Sequence, residues 1–398
     1  MSNEELRQDV RAWLAENWTD DAQRPGFNRA AWLRKVHDAR WLAPRWPAEH
    51  GGRALADEQA RIVESEFKAA GAPGGNADRV NIPANTLLEF GQEPLKQRLL
   101  AGMLTGEIQF CLLYSEPNAG SDLASVRTRA DRDGDSYIVN GQKVWTSGAR
   151  TADYGLLIAR TNWDAPKHKG LSFFFCPMKQ PGIDIRPLHQ ITGESHFNEV
   201  FIDNAVVPAD HLIGKEGEGW RVLQTALAYE RVLMGEGAAE RRKGVEGESR
   251  ADLIALARAY GKLSDPVIRQ EIANAIAYRR LNELNALRAK TEMAADKSSA
   301  SPIMSLSKLA MSRVLHNNAR VMTLIIGAEA MLDGAEHPAA AETNYRALYA
   351  YINSIGGGTD QIQRNIIGER VLGLPREAEP DRDIPFRDSL AVKGAQPK

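Results

Sequence analysis

Apolar residues recur at helical spacing through the first hundred positions of the chain. Val10, Trp13 and Leu14 share one stripe of a first segment, and Ile62 and Phe67 share a similar stripe further on. Prolines and glycines interrupt the pattern around residues 44–52 and again around 72–76. The pattern therefore predicts an N-terminal region of helices joined by loops, over residues 1–107.

Short apolar runs with strand character replace the helical pattern from about residue 108. Turn residues such as Asp133-Gly134 and Pro181-Gly182 separate these runs, and no helix-length pattern lies between them. Because parallel βαβ units need helices between their strands, this arrangement predicts a small all-β unit over residues 108–216. The clearest runs are 136–139, 154–159, 172–176 and 199–202.

Helical periodicity returns at about residue 217 and continues almost to the end. Gly334 and the triplet Gly356-Gly357-Gly358 interrupt it. The pattern predicts a C-terminal helical bundle over residues 217–398, with the polar tail after Pro375 on the surface. The predicted fold class is therefore multi-domain α+β. The clearest helical segments are 251–260, 265–291, 305–332 and 339–355.

The composition fits an ordinary enzyme and excludes several other classes of protein. The chain has 398 residues, with 50 Lys and Arg against 52 Asp and Glu. This balance argues against a disordered chain and against a polybasic nucleic-acid binder. No apolar run approaches the roughly 18 residues that a membrane span needs. The acidic start predicts a cytoplasmic protein, although a mature mitochondrial chain would look the same. Cys111 and Cys176 are predicted to be buried free thiols.

Three segments carry residues suited to ligand binding. In segment 112–122, the hydroxyls of Ser115 and Ser121 and the small Gly120 suit a loop around a phosphate-bearing ligand. The alternative is a simple turn between two elements. In segment 143–148, Trp145 can pack against a planar ring while the following hydroxyls bond to its edge. The alternative is a core tryptophan at a strand end.

The third segment is the glycine triplet together with residues 359–370. Three glycines before a helix leave free backbone N–H groups at its start, which suit an anion or a carbonyl oxygen. The alternative is a glycine-rich cap between two helices.

Together, and in this order, the three segments resemble the signatures of the acyl-CoA dehydrogenase family, and the resemblance covers essentially the whole chain. It implies an N-terminal helical domain, a middle β-barrel and a C-terminal four-helix bundle, usually assembled as a tetramer with FAD at the subunit contacts. The implied reaction forms the α,β-double bond of an acyl-CoA. A carboxylate removes the α-proton, the β-hydrogen leaves as hydride to flavin N5, and electron-transfer flavoprotein accepts the electrons.

The resemblance also implies roles for individual residues. The implied FAD contacts are Tyr114, Ser115, Gly120, Ser121, Trp145, Thr146, Ser147, Thr359 and Gln361. The implied contacts with the acyl-CoA substrate are Ser121, Arg231 and Gly358.

One departure from the family pattern concerns the catalytic base. Many members carry a glutamate immediately before the Gly-Thr pair of the C-terminal signature, but this chain has Gly357 there. Members similar to isovaleryl-CoA dehydrogenase place their glutamate before an arginine on a helix, and Glu230 precedes Arg231 here. Glu230 also falls on an apolar helical stripe with Leu227 and Met234, where burial would raise its pKa into the range of a general base. The alternative is a salt-bridged helix residue.

A second departure concerns the motifs that reach across to a neighbouring subunit's FAD. Residues 252–260 and 324–329 match these motifs only in part. Either FAD is held differently, or a partner chain completes the site in a hetero-oligomer. Such degenerate motifs resemble those of branches that act on bulky acyl-CoAs, including sterol side chains. Two other functions stay open: a non-catalytic subunit of a heterotetramer, and a flavin oxidase or monooxygenase of the same fold.

Overall fold

The computed structural model describes residues 1–18, 26–227, 229, 253–295 and 303–389. Internal contacts divide the chain into two compact units. The first unit comprises Met1–Leu188, Ser195–Glu230 and Pro380–Lys398, and the second comprises His189–Glu194 and Arg231–Glu379.

The N-terminal part of the first unit is helical, as the apolar spacing predicts. Helix α1 begins with a capping box: the Ser2 hydroxyl accepts from the Glu5 N–H (3.2 Å), and the Glu5 carboxylate accepts from the Ser2 N–H (2.7 Å). Its buried face carries Val10 and Leu14. The helices are α1 (Asn3–Asn17), α2 (Arg29–Asp38), α3 (Asp57–Ala69), α4 (Ala77–Val80), α5 (Ile82–Phe90) and α6 (Glu93–Thr105).

An eight-stranded sheet follows these helices in the same unit. Seven strands lie in the order β6-β7-β3-β2-β4-β5-β8, and β1 pairs in parallel with β4. All four runs that the sequence predicts as strands lie within this sheet. The strands are β1 (Phe110–Leu113), β2 (Arg129–Asp133), β3 (Ser136–Ser147), β4 (Tyr154–Arg160), β5 (Leu171–Pro177), β6 (Ile183–Leu188), β7 (Phe197–Pro208) and β8 (Leu212–Ile213).

The continuous apolar run in β5 reflects burial on both faces of the sheet. Phe173 and Phe175 pack into the core that the N-terminal helices share, whereas Phe174 packs into the separate core of the sheet. After β8, helix α7 covers residues 219–227 and buries Val222 and Leu223 in the first of these cores. Cys111 and Cys176 are buried free thiols, as predicted, and burial raises the pKa of each to about 12.

The second unit contains long helices that pack around their own core. Ile272, Val321 and Ile325 are among its buried residues. The sequence predicts a helix over residues 305–332, but the observed α-helix begins two residues earlier, at Ile303. It ends at Ile326 and is followed by a 3-10 turn. The helices are α8 (residues 253–259), α9 (Pro266–Ala295), α10 (Ile303–Ile326), α11 (Pro338–Ile355) and α12 (Asp360–Ile366).

The polar tail differs from its prediction at two residues, Phe386 and Ser389, which are both buried. Most of residues 376–389 are exposed, but Phe386 is fully buried in the first unit. The short group Ile384-Pro385-Phe386 shows neither helical nor strand periodicity, so the sequence pattern could not reveal this contact. In the part of the chain that the structure describes, no helix is long and apolar enough to cross a bilayer.

Candidate active site

The loop after β1 turns tightly between Glu116 and Ala119. The backbone N–H of each residue donates to the carbonyl oxygen of the other, at 3.0 and 3.1 Å. Gly120 and Ser121 are exposed just beyond this turn. A Cβ atom added at Gly120 would meet no heavy atom within 4 Å. The chain thus leaves open space beside the two residues that the resemblance assigns to a ligand.

The same loop is anchored by a buried ion pair. The Lys143 side chain is fully buried, and its Nζ donates to Glu116 Oε1 (2.8 Å), to the Tyr114 carbonyl (3.0 Å) and to the Ile158 carbonyl (2.8 Å). Glu116 also accepts from the backbone N–H groups of Arg127 (2.7 Å) and Thr128 (2.8 Å). Lys143 therefore joins the loop to strands β3 and β4.

Burial and pairing act in opposite directions on this pair. Burial by itself raises the pKa of the Glu116 carboxyl, but Lys143 and the hydrogen bonds from Thr128 and Arg127 bring its pKa below the usual value. Burial lowers the pKa of Lys143, and Glu116 offsets part of that effect. Because all three Nζ hydrogens have acceptors, the pair is a structural anchor, and sequence reasoning did not find it.

Strand β3 contains a bulge at Trp145. Between Lys143 and Thr146 the pairing with β7 shifts register, which leaves Trp145 as the extra residue with φ of 59°. A bulky residue in the left-handed region is strained and calls for a reason. The indole is 55% exposed and packs edge-to-face against Phe197, with ring centroids 5.7 Å apart.

Trp145 and Ser147 are both exposed, whereas Thr146 between them is fully buried. Since side chains alternate along a strand, Thr146 faces the interior of the sheet. Its Oγ1 has no hydrogen-bond partner among the described residues, and neither has Oδ1 of the opposite residue, Asn198. Only Trp145 and Ser147 therefore present their side chains on the outer face.

The first two predicted segments meet through the backbone. The N–H of Val144 donates to the carbonyl of Ser115 (2.9 Å), one residue from Trp145. The Tyr114 side chain is buried against Phe173, with ring centroids 5.9 Å apart, so it belongs to the core that supports the loop. The fold thus brings Ser115 and Trp145 together, although 30 residues of sequence separate them.

The glycine triplet lies in the second unit and leads into α12. Gly357 and Gly358 have φ of 64° and 90°, a conformation that favours glycine. A Cβ at Gly358 would lie 2.7 Å from Nε2 of Gln363, which donates to the Gly357 carbonyl (3.3 Å). Thr359 is the N-cap of α12, where its hydroxyl accepts from the Ile362 N–H (3.2 Å), and Gln361 is exposed.

A polar network joins the residues on either side of this triplet. The Ser312 hydroxyl donates to Asp360 Oδ1 (2.7 Å) and accepts from Asn353 Nδ2 (2.8 Å). Lys308 donates to the Asn353 carbonyl and lies 3.8 Å from Asp360 Oδ1. Burial lowers the pKa of Lys308, and Asp360 offsets part of that effect. Helix α10 thus holds the end of α11 and the start of α12.

Glu230 and Arg231 lie outside the described residues, so the candidate base stays a sequence prediction. The neighbouring Tyr229 is described, and its hydroxyl donates to Glu89 Oε2 at 3.0 Å. Burial and that carboxylate raise the pKa of Tyr229 to about 12. On α7, Leu223 is fully buried and Leu227 is partly buried, in agreement with the predicted apolar stripe.

Comparison with known families accounts for the order of these segments. Residues 2–107 match the N-terminal domain of acyl-CoA dehydrogenase, residues 111–205 the middle domain, and residues 217–372 the C-terminal domain. The chain belongs to the acyl-CoA dehydrogenase family. The predicted resemblance is therefore confirmed, as are the class of enzyme, an oxidoreductase, and the succession of helical, β-sheet and helical regions.

Individual relatives match over nearly their whole length. Acyl-CoA dehydrogenase IpdE1 of Mycobacterium tuberculosis is 36% identical over 395 residues, which is 94% of this chain and 99% of the relative. Among solved structures, the Tcur3481-Tcur3483 steroid ACAD has a TM-score of 0.70 at 29% identity, over 94% of this chain and 98% of that one. The ChsE4-ChsE5 complex from Mycobacterium tuberculosis has a TM-score of 0.65 at 30% identity, with the same coverage.

Proposed function

We propose that this protein catalyses the FAD-dependent α,β-dehydrogenation of an acyl-CoA thioester with a bulky, ring-containing acyl group. The observation that carries the proposal is the exposed indole of Trp145, held on a strained bulge beside Ser147 and joined to the Ser115 loop. A strained backbone and a large exposed aromatic side chain cost free energy on a surface that binds nothing, and both are typical of a ligand site.

These residues fit the flavin chemically. The indole offers a flat apolar face to a planar ring, and the Ser147 hydroxyl on the same face can hydrogen-bond to its polar edge. Ser115, Gly120 and Ser121 would hold the ligand along the open loop, and the resemblance adds Thr359 and Gln361. When bound, FAD supplies the acceptor for the hydrogen that leaves the β-carbon as hydride.

The protein's own part in the reaction is to hold the thioester and move one proton. Gly357 has no side chain, so the glycine turn cannot supply a base, and Glu230 is the proposed acceptor of the α-proton. Arg231, Ser121 and Gly358 are the proposed substrate contacts. Replacing Glu230 by Gln should lower kcat by about 10²–10⁴-fold. The matched change Glu218→Gln, just before α7, should leave kcat near that of the wild type.

The bulky acyl group is supported by the similarity of this chain to the Tcur3481-Tcur3483 steroid ACAD. The proposal is tested on purified protein by its flavin absorbance spectrum and by anaerobic bleaching with a panel of acyl-CoAs. We expect steroid-ring thioesters to bleach the flavin faster than straight-chain thioesters. A yellow protein that no acyl-CoA bleaches would contradict the proposed reaction, and faster bleaching by straight-chain thioesters would contradict the substrate class.

The acceptor is tested in the same preparation. Electron-transfer flavoprotein should support turnover in the presence of substrate, whereas dissolved oxygen alone should support little. Rapid turnover with oxygen and no other acceptor would instead favour an oxidase or monooxygenase.

An oligomeric assembly is supported by an apolar stripe in the second unit. Leu281, Leu284 and Leu287 recur at a spacing of three along α9 and are 56%, 46% and 62% exposed. Replacing Leu284 by Glu should shift the molar mass measured by light scattering toward that of a single chain, because a charge would enter an apolar contact. An unchanged mass would contradict this face as the interface.

A second candidate function is a non-catalytic subunit of a hetero-oligomer. Gly357 favours it, because the usual position of the base lacks a carboxylate. The similar ChsE4-ChsE5 structure is also a complex of two different chains. A protein that is colourless alone and yellow only after coexpression with a second acyl-CoA dehydrogenase chain would support this function.

A further inference from the structure

The C-terminal strap, residues 384–389, lies beyond the part of the chain that matches the family domains, yet it docks on the first unit. The N–H of Phe386 donates to the Ala165 carbonyl (3.0 Å), and the N–H of Arg387 donates to the Trp163 carbonyl (3.1 Å). Arg387 also forms an ion pair with Asp164 at 2.6 Å. The strap therefore binds the loop between β4 and β5, residues 161–170, by both its backbone and its side chains.

Phe386 is the centre of this contact. Its side chain is fully buried and lies 5.6 Å from the Trp163 ring. The guanidinium carbon of Arg160 lies 3.5 Å from the Phe386 ring centroid. A cation stacked on an aromatic face at this distance is held in place by the ring as well as by packing. Phe386 thus restricts the position of the Arg160 guanidinium.

Arg160 in turn holds the chain that follows the ligand loop. Its guanidinium donates to the carbonyl oxygens of Ala124 (2.7 Å), Val126 (3.2 Å) and Lys167 (3.0 Å). Burial lowers the pKa of Arg160 to about 9, and Glu116 and Asp122 offset part of that effect. One buried side chain therefore ties residues 124–126 to the loop that the strap covers.

A second link reaches the ligand loop itself. Lys167 Nζ lies 2.8 Å from Asp122 Oδ1, and the Ser125 hydroxyl also bonds to the Asp122 carboxylate. Asp122 directly follows Ser121. The path from Phe386 through Arg160 and Lys167 therefore reaches Asp122 itself and residues 124–126 that follow it.

We propose that Phe386 of the C-terminal strap, acting through Arg160 and Lys167, is a positioning residue for the Ser121–Asp122 turn and for the phosphate-bearing ligand bound there. The ligand class follows from the proposed function, on which this part rests. It is either the FAD diphosphate or the phosphopantetheine arm of the acyl-CoA. The strap itself touches neither ligand and acts only by fixing the turn.

The first test measures the turn without any ligand. Hydrogen–deuterium exchange of the amides of residues 121–126 is compared in the wild type, Lys167→Met and Lys169→Met. Lys169 is an exposed lysine in the same loop and serves as the matched control. Because the Lys167–Asp122 pair is partly exposed, we expect exchange in Lys167→Met to rise about two- to fivefold, and exchange in Lys169→Met to stay unchanged. Equal exchange in all three proteins would overturn the proposal.

The second test changes the buried ring. Phe386→Ala removes both the packing and the aromatic face, whereas Phe386→Leu keeps most of the packing. We expect exchange at residues 121–126 to increase in the order wild type, Leu variant, Ala variant. The increase should occur without a matching change in the helices of the second unit. Uniform faster exchange in both units of the Phe386→Leu protein would indicate general destabilisation and overturn the proposal.

Ligand binding then distinguishes the two sources of phosphate. In Lys167→Met and Phe386→Leu, a rise of about tenfold in the Kd of FAD for the apoprotein would assign the turn to the cofactor. A similar rise in the KM of the acyl-CoA, with kcat and FAD content unchanged, would assign it to the substrate. If neither ligand binds the wild type, the proposed function fails, while the exchange data still decide whether the strap positions the turn. Unchanged Kd and KM in both variants would overturn the ligand part of the inference.

Discussion

The two regions proposed to bind FAD or the substrate are held in different ways. In the first unit, the Ser115 loop and the Trp145 bulge are tied together by the fully buried Lys143 and the almost fully buried Glu116. In the second unit, the glycine turn is held by Lys308 and Asp360, whose side chains are 17% and 18% exposed and whose nitrogen and oxygen are 3.8 Å apart. A buried charge without its partner is far more costly than one that water can reach. Breaking the Lys143–Glu116 pair should therefore cost much stability in the first unit. Breaking the Lys308–Asp360 pair should cost less in the second unit.

The largest expected effect comes from Lys143→Met. This change leaves Glu116 buried without its counter-charge, and we expect a loss of about 3–5 kcal/mol in the free energy of unfolding, measured by urea titration. The control is Lys179→Met, which breaks a pair with Asp153 in which the lysine side chain is 70% exposed. The control should lose less than about 1 kcal/mol. Similar losses in the two variants would contradict the difference between buried and exposed anchors.

The same pair predicts a dependence on pH. The folded pKa of Glu116 lies below its unfolded value, so its contribution to stability is present above the unfolded pKa of about 4.3 and is lost as pH falls through the folded pKa. The stability difference between the wild type and Lys143→Met should therefore be largest near neutral pH and shrink in acid. A constant difference from neutral pH to pH 3 would argue against an ionised Glu116.

A smaller effect is expected for Gly358→Ala in the second unit. Its φ of 90° disfavours a side chain, and the new Cβ would lie 2.7 Å from Gln363 Nε2. We expect a loss of about 1–3 kcal/mol, seen as a lower denaturation midpoint. Gly356→Ala is the comparison for backbone strain, because φ at Gly356 is −71°, which any residue adopts, and its Cβ would lie no closer than 3.1 Å to a neighbour, the Ile352 carbonyl oxygen. If Gly356→Ala is the more damaging of the two, backbone strain is not the reason for the glycine at 358.

Ser312→Ala should reduce stability by about 1–2 kcal/mol, because Asp360 loses a donor and Asn353 loses an acceptor. Ser307 lies on the same helix and is buried, but its hydroxyl has no partner among the described residues. Ser307→Ala should therefore be nearly neutral. The difference between the thermal unfolding midpoints of the two variants measures how much the hydrogen bonds of Ser312 contribute to stability. Equal midpoints would show that they contribute nothing.

The smallest effect is expected for Thr146→Val, which removes a buried hydroxyl without a described partner. Stability should stay the same or rise by up to about 1 kcal/mol. By contrast, Thr128→Val removes a hydroxyl that donates to Glu116 at 2.6 Å and should cost about 1–3 kcal/mol.

FAD titration of the Thr146→Val apoprotein also tests the predicted flavin contact. Weaker binding would mean that Thr146 reaches the cofactor, despite facing the interior of the sheet.

Much of the fold could be predicted because local pattern and packing agree. The run Phe173–Phe175 indicates a strand buried on both faces, and β5 is such a strand. The spacing of Leu223 and Leu227 indicates a helix with one buried stripe, and α7 has one. Helix ends were less certain. The predicted segment ran on to residue 332, whereas α10 ends at Ile326 and a 3-10 turn follows from Gly327, which has φ of 61°.

The site could be predicted only in part. Ser121, Trp145 and Ser147 stand out by residue type, and all three are exposed as a ligand site requires. Thr146 carries the same kind of signal as Ser147 but faces the other way, because the bulge and strand alternation decide its direction. Lys143 and Glu116 look like ordinary charged residues in the sequence, and only their burial shows that they form an anchor.

By itself, the sequence determined the class of each region and the family, and it supplied a short list of residues proposed to contact a flavin or a thioester. These properties depend on side-chain chemistry and on spacing along the chain, both of which can be read locally. Only the tertiary structure decided that Lys143 anchors the Ser115 loop, that Trp145 is strained and exposed, and that Phe386 stacks on Arg160. Each of these depends on contacts between residues far apart in the chain, and such contacts exist only after the chain has folded and excluded water from around the charges.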